Sequence, residues 1–132
     1  MKPLIQRWLR QAEADLQAAR DSARAGHFEW ACFQAQQSAE KALKALLYQK
    51  GRTSAISHSI ADLLEESTKY VGQLASLTEE AKYLDTFYLA TRYPNALPGE
   101  RAPADYYGEK EAERCLSYAE SILTAVKNTM PG

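Results

Sequence analysis

Apolar residues recur at steps of three and four along most of the chain, the spacing that places them on one face of a helix. This pattern predicts a first helix over residues 3–25 and a second over residues 28–50. Pro3 suits the first turn of a helix, and Gly26 and Gly51 suit the positions just after a helix end. Two long amphipathic helices therefore open the chain.

Shorter helices are predicted in the second half. Ser57 or Ser59 can cap a third helix that breaks at Gly72. A fourth helix begins near residue 78 and ends near Arg92. Residues 93–104 hold three of the five prolines and so form a loop rather than regular helix, before a last helix over 104–128.

No alternating strand pattern interrupts this series, and a chain of 132 residues suits one domain, residues 1–132. The predicted fold is all-α, an antiparallel up-and-down bundle of four to five helices. Alanine-rich stripes on the first two helices favour a close antiparallel pair at its centre.

Composition narrows the function classes. Lys and Arg number 16 against 17 Asp and Glu, a formal charge of −1, so no global basic field attracts nucleic acid. No segment is apolar enough to span a membrane, and no apolar signal core is present, so we expect a cytoplasmic protein without membrane contact. Cys32 and Cys115 fall on apolar helical faces and are expected to be buried free thiols. We expect no metal and no cofactor, because ligand-spaced Cys or His pairs and glycine-rich phosphate loops are missing from the sequence.

The second helix carries a mixed flank beside its core face. At about 100° per residue this flank holds aromatic, amide, charged and aliphatic types: Phe33, Gln36, Glu40, Lys44 and Leu47. It is either a wide buried arc with charges at its margin or an interface to a partner subunit or ligand. Positive charge also gathers toward the end of this helix, from Lys41 to Arg52.

A second candidate region surrounds the proline loop. Asp85, Tyr88 and Arg92 share a face at the end of the fourth helix. Arg92 either pairs with Asp85 or offers its guanidinium to a phosphate, with Tyr88, Tyr93, Tyr106 or Tyr107 as a stacking plate. His58, at a helix start, is either a capping histidine or a general acid or base.

Four short sequence motifs occur one after another along the chain. They are a Gly-aromatic entry at Gly26, AxxxAEKALKALL from Ala35, SHSIADLL from Ser57, and TRYPNA from Thr91, with a later PxDYY from Pro103. Together, over about residues 14–126, they resemble the HEPN domain family of prokaryotes. The resemblance implies a helical bundle that commonly dimerises and is often encoded beside a minimal nucleotidyltransferase in a toxin and antitoxin type pair. It also implies nucleotide binding and, for many members, metal-independent ribonuclease activity.

The chain departs from the nuclease motif of that family, an Arg followed after four to six residues by a His. Arg92 is followed at those spacings by Leu97, Pro98 and Gly99, and no histidine follows His58. Arg52 and His58 match the spacing, but they lie on the loop into the third helix rather than late in the domain.

We therefore expect a homodimeric HEPN-type module that binds nucleotide or RNA phosphate and partners a nucleotidyltransferase. One alternative is a metal-independent ribonuclease toxin with a nonstandard active site, for which His58 and Arg92 are weak catalytic candidates. Another is a non-catalytic interaction scaffold. The candidate ligand-binding residues are Glu40, Lys44, Asp85, Arg92, Tyr93 and Tyr106.

Overall fold

A computed structural model describes residues 1–52, 57–88, 91, 93–97 and 99–131. The described residues form helices and no strand, which confirms the all-α bundle. Two 3-10 helices cover Gly72–Leu77 and Pro94–Ala96. The α-helices are α1 (Pro3–Arg24), α2 (Phe28–Gln49), α3 (Ile60–Thr68), α4 (Thr78–Asp85), α5 (Pro103–Tyr106) and α6 (Glu109–Thr129).

Helices α1 and α2 end within a residue or so of their predicted limits. Gly26 and Gly51 follow them with φ of +84° and +90°, a left-handed conformation that other residues rarely adopt. The two helices pack closely through fully buried alanines, among them Ala12 and Ala42. Ser38 of α2 donates to the carbonyl of Ala12 at 2.6 Å, so the helix axes approach closely at the predicted alanine seam.

Helix α2 is the central element of the bundle. It packs against α1 on one side and against α6, α3, α4 and α5 on the others. Most of its residues are consequently buried, including polar ones. Side chains that leave α2 in almost any direction therefore meet another part of the protein.

The fourth helix is shorter than predicted. It ends at Asp85 rather than near Arg92, which itself lies outside the described residues. The next three amides, of Thr86, Phe87 and Tyr88, donate to carbonyls three residues back, so the helix tightens into a turn. Asp85 itself is held by hydrogen bonds with the start of α3.

The last helix is divided, whereas the sequence predicts one continuous element. Between α5 and α6, Tyr107 and Gly108 adopt extended conformations. Tyr107 is buried against Phe87, with ring centroids 5.3 Å apart, and the chain bends to bring it inward. Gly108 then caps α6, where its amide donates to Glu111 Oε1 at 3.1 Å.

Cys32 and Cys115 are buried free thiols, as predicted. The neighbouring Cys32 thiol, together with burial, raises the pKa of the Cys115 thiol. Neither thiol is therefore disposed to react in the folded protein. Within the described part of the chain, every helix is too short or too polar to cross a membrane.

Candidate functional site

Three polar side chains are buried in a row along α2. Gln36, Glu40 and Lys44 follow one another at successive turns and are only 0%, 5% and 7% exposed. Glu40 joins them, since its Oε2 accepts from Lys44 Nζ at 2.8 Å and its Oε1 lies 3.5 Å from Gln36 Nε2. We call these three residues the polar ladder. Burying charged groups costs free energy even when they are paired, so a ladder of this kind points to a role beyond packing.

His58 stands at the open end of the polar ladder. Its Nδ1 lies 3.0 Å from Glu40 Oε2, while 68% of its side chain is exposed. An ionised carboxylate only accepts hydrogen bonds, so Nδ1 carries the proton in this pair. The other ring nitrogen, Nε2, is then the one turned to a ligand, and Glu40 fixes the orientation of the ring.

Tyr88 holds the imidazole from its face. The two rings are nearly parallel, with an interplanar angle of 12° and centroids 5.7 Å apart. The ring centroid of Phe33 on α2 lies 6.5 Å from that of Tyr88, and the ring centroid of the exposed Trp30 lies 6.1 Å from that of Phe33. Aromatic rings thus continue from His58 along α2 beside the polar ladder.

Asp85 fixes the start of α3 and with it the position of His58. Its carboxylate accepts from the Ile60 amide, from the Ala61 amide at 3.0 Å and from the Ser59 hydroxyl at 2.9 Å. An anion suits a helix N-terminus, where backbone amides lack partners within the helix. Ser59 is the N-cap, accepting from Asp62, and His58 directly precedes it. The end of α4 therefore positions His58 both through this clamp and through Tyr88.

The charges of the cluster allow two kinds of chemistry. Glu40 balances Lys44, so a protonated imidazole leaves one net positive charge at the exposed end, where a phosphate can bind. A neutral imidazole instead presents a lone pair on Nε2 and can accept a proton from a bound hydroxyl group. In both cases the surface group is His58, and the buried Glu40 orients its ring.

The structure brings some of the sequence candidates together and separates others. Glu40 and Lys44 join His58 in one cluster, and Asp85 supports it. Tyr106 lies elsewhere, since its ring contacts Tyr107 at 5.0 Å and Arg101 at 5.2 Å. Tyr93 is about half exposed. Arg92 lies outside the described residues, so its pairing with Asp85 or with a ligand stays a prediction.

Arg52 and His58 have different partners among the described residues. Arg52 pairs with Glu66 at 2.8 Å, a contact that raises the pKa of Arg52 and lowers that of Glu66. Lys41 is likewise paired with Asp15. The positive charge that the sequence gathers at the end of α2 is thus largely neutralised by local partners.

Two of the tyrosines near the proline loop, Tyr83 and Tyr107, pack against other aromatic rings of the bundle. Tyr83 contacts Phe87 and Tyr118 at centroid distances of 5.0 and 5.4 Å, and Phe87 leads on to Tyr107. Burial raises the pKa of Tyr83 and of Tyr107 to about 12. Tyr88 instead turns toward His58, and Tyr93 and Tyr106 are exposed.

Sequence reasoning missed two parts of the site. Gln36 was seen on the mixed flank but not as the inner member of a ladder, although the i, i+4, i+8 spacing of three polar residues is a visible signal. The hydrogen bonds between Asp85 and the start of α3 could not be predicted from a local pattern, because they join residues 24 to 26 positions apart.

Comparison with models of protein families assigns the chain to a family. The model of the HEPN domain matches residues 5–129. The chain belongs to the HEPN domain family. The resemblance drawn from the sequence motifs is thereby confirmed.

Solved HEPN-like structures share both fold and sequence with the chain. TT1696 from Thermus thermophilus is 42% identical, with a TM-score of 0.89 over 96% of this chain and 98% of that one. ST0689, described as an archaeal HEPN homologue, is 40% identical with a TM-score of 0.78, covering 97% and 98% of the two chains.

Curated relatives are more diverse. The candidate toxin MJ1304 of Methanocaldococcus jannaschii is 28% identical over 128 residues, 92% of this chain and 84% of that protein. Human sacsin is 32% identical over 127 residues, 94% of this chain, but the chain spans only 3% of the length of sacsin. The HEPN unit therefore occurs both nearly alone and inside a very large protein.

Proposed function

We propose that the chain is the HEPN component of a toxin and antitoxin type pair and that it binds the phosphate of a nucleotide or RNA beside His58. The observation that carries the proposal is the hydrogen bond between Glu40 and His58 at the exposed end of the polar ladder. The kinship with a candidate toxin of the same length class supports the biological context. The finer points, nucleotide binding and a nucleotidyltransferase partner, rest on the charges at the site and on family resemblance.

The ligand chemistry follows from the charges. Protonated His58 presents an N–H donor on Nε2, and Lys44 offsets the only carboxylate within hydrogen-bonding distance of the imidazole in the described structure. A phosphate oxygen accepts such charge-assisted hydrogen bonds well. Tyr88, whose ring lies parallel to the imidazole, and Phe33 beside it are the aromatic groups nearest to a base attached to that phosphate.

Binding measurements test this proposal directly. Isothermal titration with ATP, GTP and short RNAs should show binding by the wild-type chain and its loss in His58→Ala. The matched control is His27→Ala, because His27 is the other histidine of the chain and is exposed at the start of α2. Absence of binding by the wild type, or equal binding by His58→Ala, would contradict the proposal. Arg92→Ala tests separately whether the arginine of the family motif contributes.

The Glu40 and His58 pair also favours a second candidate, a metal-independent ribonuclease with a nonstandard site. Here neutral His58 accepts the proton of a ribose 2′-hydroxyl at Nε2, and the resulting oxygen attacks the adjacent phosphorus. The 5′-oxygen departs and takes up a proton from solvent, leaving a 2′,3′-cyclic phosphate and a 5′-hydroxyl end. Purified protein should then cleave RNA in the presence of EDTA, and His58→Ala should abolish cleavage while His27→Ala retains it.

The partner is proposed as a minimal nucleotidyltransferase encoded next to this chain. Expression of this chain alone should then slow growth, and coexpression of the neighbouring protein should relieve the effect and copurify with it. Homodimerisation is proposed alongside on the family resemblance alone, because most of the mixed flank of α2 is buried within the bundle. A monomer at tens of micromolar in light scattering would count against it.

A further inference from the structure

The first three turns of α1 form a surface that is apolar at its centre and basic at its edges. A groove of about 560 Å³ runs along α1 beside α2 and is lined by Leu4, Arg7, Trp8, Arg10, Gln11, Ala14 and Lys41. A second groove of about 640 Å³ adjoins it across the same Leu4 and Trp8 and reaches Lys2, Tyr48 and Arg52. We call the two together the α1 groove.

The cations of the α1 groove divide into two classes. Lys41 and Arg52 are paired with Asp15 and Glu66. The side chains of Lys2, Arg7 and Arg10 make no hydrogen bond or ion pair with any described residue. Their charges are thus available, although the chain as a whole carries −1. The groove is therefore complementary to a negatively charged partner.

The apolar centre of the α1 groove is formed by Leu4 and Trp8, which line both of its parts. Leu4 is 53% exposed, so an apposed side chain can cover it. Trp8 is partly buried and tilted by 54° against Tyr48, with ring centroids 5.5 Å apart, so Tyr48 supports it from the side of α2. An aliphatic ridge of this kind packs between the side chains of an apposed helix.

We infer that the α1 groove docks an acidic amphipathic helix of a partner protein. From Leu4 to Ala14 the wall is about 15 Å long, which matches about three turns of a helix lying alongside. Leucines of that helix would cover Leu4 and Trp8, and its carboxylates would pair with Arg7 and Arg10. A second copy of this chain docked face to face fits less well, because a two-fold axis would bring the same arginines together. This surface is separate from the His58 site and does not depend on the proposed function.

The test uses the full chain with Trp30→Phe, which leaves Trp8 as the single tryptophan and reporter. The probe is a synthetic helical peptide of about 18 residues, with Leu on one face and Glu on both flanks. Docking should shift the Trp8 emission to the blue and saturate with peptide concentration. Arg7→Glu combined with Arg10→Glu should weaken binding by about tenfold or more at low salt.

Controls separate this surface from general charge effects. Lys82→Glu combined with Lys110→Glu makes the same charge change at exposed sites outside the α1 groove and should leave peptide binding unchanged. A peptide with Lys in place of Glu should not bind; equal binding of the two peptides would overturn the inference. So would peptide binding that is indifferent to the two arginine reversals.

Other occupants give different results in the same variants. If oligouridylate RNA or vesicles with phosphatidylserine bound through Arg7 and Arg10 while the acidic peptide did not, the inference would be wrong. It would equally fail if the reversals converted a dimer into a monomer, which would assign the groove to a second copy. His58→Ala should dock the peptide normally, so that the failure of either proposal is recognised independently of the other.

Discussion

The Oε2 atom of Glu40 lies 3.0 Å from the Nδ1 atom of His58, although the two residues are 18 positions apart and belong to different parts of the bundle. The Glu40 side chain is only 7% exposed, whereas that of His58 is 68% exposed. A buried acceptor therefore orients a surface group that can take up or release a proton. Substitution of the residues that hold this pair in place should change both stability and binding.

Asp85→Asn should loosen the start of α3. The substitution keeps the size of the side chain but removes its charge and one acceptor oxygen, so we expect a loss of about 1 to 2 kcal/mol in the free energy of unfolding. Because His58 precedes this cap, ligand affinity at the His58 site should fall as well. Urea unfolding measures the first effect and titration calorimetry the second. Asp105→Asn, at an exposed aspartate of α5, should change stability by less than about 0.5 kcal/mol.

Removing Glu40 alone should destabilise the protein more than removing the whole ion pair. Glu40→Leu leaves the buried Lys44 ammonium without its partner and should cost about 3 to 5 kcal/mol. Glu40→Leu combined with Lys44→Met replaces the pair by apolar groups and should recover most of that loss while ligand binding stays absent. Chemical denaturation of the three proteins checks this order. A double variant that bound ligand normally would show that the polar ladder has no functional part.

Stability should fall in alkaline solution. Burial raises the pKa of Tyr83 and Tyr107 from 10.0 to about 12, so the folded chain keeps phenol protons that the unfolded chain releases. Their contribution is complete below pH 10 and is lost as the pH rises from 10 through 12. Urea midpoints across this range should therefore decrease. Tyr83→Phe combined with Tyr107→Phe should make the urea midpoint less dependent on pH in this range. If the midpoint of the double variant falls as steeply as that of the wild type, other groups cause the loss of stability.

The two cysteines should be unreactive in the folded protein. Both are fully buried, and the neighbouring Cys32 thiol together with burial raises the pKa of Cys115, which suppresses its thiolate. Ellman's reagent in mildly alkaline buffer should detect no thiol at first in the native chain and both thiols in guanidinium chloride. Rapid labelling of native protein would mean that α2 and α6 separate more readily than their packing indicates.

Local sequence patterns are sufficient to predict the two helices in the first half of the chain. Helices α1 and α2 follow from a 3.6-residue apolar period ended by Gly26 and Gly51, which are local signals. The end of α4 and the break before α6 are set by tertiary contacts instead. Asp85 accepts hydrogen bonds from the amides of α3, and Tyr107 packs in the core against Phe87. Because both contacts join residues far apart in the chain, no pattern in the nearby sequence predicts them.

The site divides in the same way. Glu40 and Lys44 lie one turn apart, so their place on a common flank of α2 was visible from spacing alone. That His58 meets Glu40, rather than Arg52, depends on how α3 packs on α2 and α4. Spacing along the chain singles out Arg52 and His58, but it cannot show that Glu40, 18 residues upstream of His58, contacts the imidazole.

Placing the polar ladder on the innermost helix has a consequence for binding thermodynamics. The groups that orient His58 sit on α2, α3 and α4, elements already packed in the ligand-free chain, so little side-chain freedom remains to be lost when a ligand arrives. Association at this site should therefore be fast, with a backbone that changes little, and affinity should be limited by the few exposed contacts rather than by an ordering cost.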